Sequence, residues 1–259
     1  MVDARQAAYL QALGVDVYVP RSAPPWQDEM AAETAAPAVP AAPGPSPFVA
    51  ARTEEKALHP DIAANLGWDE LRAAVAGCQL CDLHATRTQT VFGVGNRHAR
   101  WMFIGEAPGA EEDRQGEPFV GRAGQLLTSM IRALGLRRED VFIANVLKCR
   151  PPDNRDPKPS EAASCRRYLE RQVALVNPTL VIAVGRIAAQ NLLATETPIA
   201  KLRGKVHSFG AQGWPVVVTY HPAYLLRSPG EKRKSWQDLL HARQLFGRLE
   251  QESASGGRA

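Results

Sequence analysis

The sequence predicts an α/β fold with a mostly parallel central sheet flanked by helices. Short apolar runs suited to buried parallel strands recur beyond about residue 60, as WMFIG (101–105), VFIANV (141–146), TLVIAVG (179–185) and PVVVTY (215–220). Segments with helical apolar spacing separate them, which is the alternation of a wound sheet. At 259 residues and 45% hydrophobic content, the chain can bury one sizeable core of this kind.

Taken in order, residues 1–19 hold a short helix pattern (Tyr9, Leu10, Leu13) and then an alternating Val15-Val17-Val19 stretch. Residues 20–60 form an Ala/Pro-rich linker, read as disordered, and residues 20–50 hold 8 of the 20 prolines. The main domain spans 61–250, and 251–259 reads as a flexible tail. Within the domain, Leu126, Leu127, Met130, Ile131 and Leu134 share one helical face, and Gly135 stands where a helix would end. Ser160 is the expected N-cap of a second helix carrying Cys165, Leu169 and Val176 on one side. Ser235, with Asp238 three residues on, is the expected start of a third.

In such sheets ligands bind beyond the carboxyl ends of the strands. That rule selects Gly105-Glu106, Asn145, Gly185 and Tyr220-His221. The first of these opens the stretch IGEAPGAEEDRQGEPFVG (104–121), whose glycines suggest an anion cradle. Its five carboxylates, Glu106, Glu111, Glu112, Asp113 and Glu117, would repel a phosphate, which leaves open what the loop holds.

No apolar stretch approaches the roughly 20 residues of a membrane span, and no signal pattern opens the chain, so the expectation is a cytoplasmic protein with no membrane partner. Residues 1–60 carry four basic and seven acidic groups within a net charge of +4, which leaves the body distinctly basic. A basic body suits a polyanionic partner, and equally an ordinary solvated surface.

The four cysteines are Cys78, Cys81, Cys149 and Cys165. Disulfides suit a cytoplasmic chain poorly, and the C-x2-C pair points to a metal centre. Zinc and a [4Fe–4S] cluster both accept four thiolates. The second pair is split between a strand end and a helix, which leans towards the cluster and leaves zinc open.

The motifs CQLC, GEAPGAEED, EPFVGRAGQLL, NVLKCRPPDNRDPKPSE and YHPAYLLR, in this order over roughly residues 68–249, resemble the family 4, iron–sulfur uracil-DNA glycosylases. The resemblance implies a uracil-DNA glycosylase-like fold and a [4Fe–4S] cluster on Cys78, Cys81, Cys149 and Cys165. It implies hydrolysis of the bond between uracil and deoxyribose in single- or double-stranded DNA, leaving an abasic site, by a nucleoid-associated monomer.

It also implies roles for individual residues. Phe119 stacks on a flipped base, Asn145 reads its edge, and His221 faces uracil O2. Gly105 and Ala107 adjoin the base, Leu225 wedges into the gap in the DNA, and Arg227 meets the strand. Another branch of the superfamily places a water-handling aspartate and a methyl-blocking tyrosine where this chain has Ala107 and Gly109. Glu106 then supplies negative charge near the sugar, and Glu112 is expected to block thymine's methyl. A further branch traps its product through a Lys-Arg-Arg-Ile-His insertion. The corresponding RPPDNRDPKPSEAAS has no histidine, so turnover is expected.

Two rivals are weighed against this reading. GVGNRH (93–98) loosely suggests a dinucleotide loop, but it precedes its strand instead of following it. A non-catalytic iron–sulfur DNA-binding module of replication or repair would keep the cysteines, yet it needs no Phe119, Asn145 and His221 together. Residues 1–19 are expected to dock on a repair or replication protein, or back on the domain.

Overall fold

The computed structural model describes residues 63–256. The expected N-terminal segment (1–19) and linker (20–60) lie outside the described residues, as do residues 257–259. The first half comprises α1 (Trp68–Ala76), β1 (Val94–Gly95), β2 (Trp101–Gly105), α2 (Ala110–Gln115), α3 (Arg122–Ala133) and β3 (Phe142–Asn145). Then come α4 (Pro159–Val176), β4 (Leu180–Val184), α5 (Arg186–Leu193), α6 (Ile199–Leu202), β5 (Val206–Phe209), β6 (Trp214–Thr219), α7 (Pro222–Arg227) and α8 (Lys232–Gly256).

The sheet order is β1-β3-β2-β4-β6-β5. The four central strands are parallel and are the four apolar runs of the sequence, while β1 and β5 close the edges antiparallel. Because side chains alternate across a sheet, each run feeds two cores. Met102, Ile104, Val181, Ala183, Val216 and Val218 face α4 and α5, whereas Trp101, Phe103, Leu180, Ile182 and Val217 face α3 and α8. The GVG of the rejected nucleotide loop is edge strand β1. A Cβ on Gly95 would lie 1.9 Å from the Val141 carbonyl oxygen, so only glycine permits this pairing.

The parallel strands end together. Gly105 pairs with Asn145 in register, and Gly185 N–H donates to the Thr219 carbonyl at 2.8 Å. One edge therefore collects Glu106, Asn145, Gly185 and Tyr220-His221, as the sequence rule expects.

Two helix starts differ from expectation. α4 begins at Pro159 with Lys158 as N-cap, and the Glu161 carboxylate accepts the Lys158 N–H at 2.8 Å. Proline's fixed φ favours the first helical position, so Ser160 lies inside. α8 begins at Lys232. Ser235 is buried and accepts the Thr219 hydroxyl at 3.0 Å, and Asp238 pairs with Arg203 at 2.7 Å instead of capping. α8 also runs on to Gly256, into the segment read as a tail. Among the described residues no helix is long and apolar enough to cross a membrane.

Candidate active site

A cleft of about 790 Å³ opens at the carboxyl edge, lined among others by Glu106, Ala107, Glu112, Phe119, Asn145, His221 and Arg227. Gly105 lies beneath it. A Cβ there would sit 2.5 Å from both Asn145 Oδ1 and Phe119 Cζ, so the bare glycine lets the amide and the ring converge.

Phe119 takes a left-handed backbone (φ 56°), which costs a non-glycine residue of order 1 kcal/mol or more. The chain on either side of it is clamped. Glu112 Oε1 accepts the N–H groups of Val120 and Gly121 at 3.0 and 3.1 Å, while its Oε2 accepts Gly109 N–H at 3.1 Å. Arg138 donates to the Pro118 carbonyl at 2.6 Å. The aromatic ring is thereby presented to the cleft, its centroid 5.6 Å from that of His221.

Asn145 is 2% exposed, and its Oδ1 has no partner. Buried amides are normally paired, so an orphaned one that lines a cleft is poised for a ligand. His221 precedes α7, and its Nδ1 accepts the Ala223 N–H at 3.2 Å. With Nδ1 an acceptor, the proton of the neutral ring sits on Nε2. Burial lowers its pKa to about 4, helped by Arg227 and opposed by Glu112, so at neutral pH the ring is an uncharged donor. Burial acts on Glu106 in the other sense: it raises the pKa to about 7, as does Asp156, while Arg186 opposes. Asp156 and Arg186 face each other at 2.6 Å across the cleft mouth.

A family model described as the uracil DNA glycosylase superfamily matches residues 92–240. The chain belongs to this superfamily. A type-4 uracil-DNA glycosylase of Archaeoglobus fulgidus is 46% identical over 186 residues, covering 70% of this chain and 94% of the relative. One from Thermotoga maritima is 47% identical over 155 residues, 60% of this chain and 80% of the relative. A type-5 uracil-DNA glycosylase of Thermus thermophilus matches at 35% over 117 residues, 39% of this chain and 53% of the relative. The expected type-4 membership and glycosylase-like fold are both borne out.

Of the site residues expected from the sequence, this glycosylase-superfamily cleft gathers Glu106, Ala107, Glu112, Phe119, Asn145, His221 and Arg227, with Gly105 as its floor. Glu112, expected to block a methyl, spends both carboxylate oxygens on backbone N–H groups. Leu225, expected to wedge into DNA, is only 1% exposed and belongs to the core shared with Leu127 and Leu239. The helical phase of α7 turns it inward and leaves Leu226 and Arg227 exposed. Sequence reasoning missed the Asp156–Arg186 pair at the mouth. Arg186 follows Gly185 at a strand end, and that position is the one signal that pointed to it.

The four cysteines come from three stretches of chain, near enough for their charges to influence one another. Cys78 and Cys81 follow α1, Cys149 follows β3, and Cys165 lies on α4. Burial raises the pKa of Cys149, as do Cys81 and Cys78, and Arg87 donates to its Sγ at 3.1 Å. Burial pushes Cys165 up to about 12, with Cys149 and Cys81 adding to the effect. Among the described residues no three His, Cys, Asp or Glu side chains are grouped to hold a single metal ion.

The Glu112 clamp makes a stability prediction. Glu112→Gln replaces one acceptor oxygen by an NH2 that faces backbone donors, so one end of the clamp is lost. Unfolding in urea should show a loss of about 1.5–3 kcal/mol, the range of hydrogen bonds to charged groups.

Proposed function

We propose that this protein removes uracil from DNA by flipping the nucleotide out and hydrolysing its N-glycosidic bond, which leaves an abasic site. The observation that carries this reading is the unpaired, buried Asn145 amide in one cleft with the Phe119 ring and a neutral His221. A base inside the duplex is out of reach, so it is extruded at a cost of a few kcal/mol. Stacking on Phe119 and pairing with Asn145 help to offset that cost.

The Asn145 amide donates to uracil O4 and accepts from N3–H, an arrangement that leaves cytosine's amine facing a donor. The Nε2–H of His221 points at O2, where negative charge grows as the glycosidic bond breaks. Glu106, when ionised, lies near the positive charge developing on the sugar and can accept a proton from the attacking water. Arg227 at the rim suits a DNA phosphate.

Cys78, Cys81, Cys149 and Cys165 would hold a [4Fe–4S] cluster. The donor set supports this: the four thiols influence one another electrostatically, and Arg87 and Lys148 stand near the sulfurs to balance thiolate charge. A four-iron cluster spreads its ligands more widely than one ion does, which suits the looser grouping here. When bound, it supplies a cross-link between the segment after α1, the end of β3, and α4. Residues 1–19 would tether a repair or replication protein through the linker.

Three outcomes test the proposal. The protein should release uracil from a uracil-containing oligonucleotide, seen as strand cleavage after alkali. His221→Ala should slow single-turnover release by roughly 10²–10³-fold with little loss of DNA affinity. Intact uracil oligonucleotide after prolonged incubation with wild-type protein would overturn the reading.

The pH dependence follows from Glu106, which acts as the carboxylate. The rate should rise as pH climbs through about 7, where the group ionises, and then level off. Glu106→Gln should remove that rising limb.

Anaerobically purified protein should be brown, with about four irons per chain by metal analysis. Stoichiometric zinc without iron would exclude the cluster. Cys81→Ala should lower iron content and soluble yield together.

A further inference from the structure

Lys148 lies between the base-reading strand end and the cysteines, and no step of base recognition or hydrolysis above uses it. It is 1% exposed, a rare state for lysine. Its Nζ donates to the Asn145 carbonyl oxygen at 2.7 Å and to Gln172 Oε1 at 2.6 Å. Gln172 is held in turn, because its Nε2 donates to the Phe92 carbonyl at 2.8 Å. The main chain of Lys148 is engaged as well. Its carbonyl accepts the Val91 N–H at 2.8 Å.

No ion pair joins Lys148 to a carboxylate among the described residues. A buried cation is costly unless its donors are satisfied and an anion stands near. This one is placed where its strongest contacts fix the backbone of the residue that reads the base.

We propose that Lys148 is a positioning residue for base recognition, holding the Asn145 carbonyl so that the Asn145 amide points into the cleft, and linking that amide through the chain to Cys149, the next residue. The proposal rests on the uracil-releasing activity proposed above. Asn145 makes the last strand pairing of β3, and its side-chain Oδ1 has no hydrogen-bond partner. Its direction is therefore set by its backbone and by packing against Gly105. Lys148, three residues on, closes the turn that fixes that backbone.

The test is the affinity for free uracil, measured by calorimetry alongside iron content and thermal unfolding. Lys148→Met keeps an unbranched apolar stem one atom shorter and removes the side-chain donors. Its uracil dissociation constant should rise roughly ten- to hundredfold, the worth of a hydrogen bond from a charged group. Pairing it with Gln172→Leu removes the orphaned amide as well, so thermal stability and iron content should recover while uracil affinity stays low.

Gln172→Leu alone leaves the contact to Asn145 in place and should bind uracil as wild type does. Unchanged affinity in either Lys148→Met variant would overturn the proposal, as would an equal loss in Gln172→Leu alone. Wild-type protein that neither binds nor releases uracil would instead refute the underlying activity.

Discussion

The cleft is arranged around one missing side chain. Gly105 ends β2 opposite Asn145, and the space its Cβ would fill is occupied by the Asn145 amide and the Phe119 ring, each within 2.5 Å of that point. An alanine would push out both the Phe119 ring and the Asn145 amide, the groups proposed to stack on a base and to read its edge. The parallel register supplies Asn145 to this spot, and the Glu112 clamp supports Phe119 in a backbone conformation that it would not hold alone. Packing, hydrogen bonding and sheet topology thus meet at a single residue.

Burial then divides the two titratable groups. Removing water disfavours whichever form is charged, so the same desolvation lowers His221 to about 4 and lifts Glu106 to about 7. One becomes a neutral donor whose tautomer is fixed by the first turn of α7. The other becomes a carboxylate that is half ionised near neutrality. The Asp156–Arg186 pair at the mouth tunes Glu106 from outside, Asp156 raising its pKa and Arg186 lowering it.

Four of the five carboxylates of the loop at 104–121 also find their places. Glu106 lines the cleft, and Glu112 caps α2 while latching the loop of Phe119. Asp113 is buried and accepts the Thr88 N–H at 3.0 Å, tying the segment after the C-x2-C pair to this loop. Glu111 bonds to Arg114 on the same helix. Their negative charge is mostly spent on neighbouring donors, which leaves an uncharged base compatible with the loop.

What the sequence by itself determined is what short-range pattern can encode. The four central strands lie where the apolar runs stand, because a strand buried on both faces needs an unbroken run. The strand-end rule found Glu106, Asn145 and His221, because parallel strands must finish on one edge. Only the tertiary structure decided which surface each remaining side chain meets. Leu225 and Leu226 are identical in sequence, and the docking of α7 buries the first and exposes the second. Ser235 and Asp238 have the spacing of a cap, yet Thr219 and Arg203, distant in sequence, claim them. Lys148 reads as one more basic residue until the fold encloses it between Asn145, Gln172 and two cysteines, because burial and partnership depend on chain segments that local spacing does not bring together.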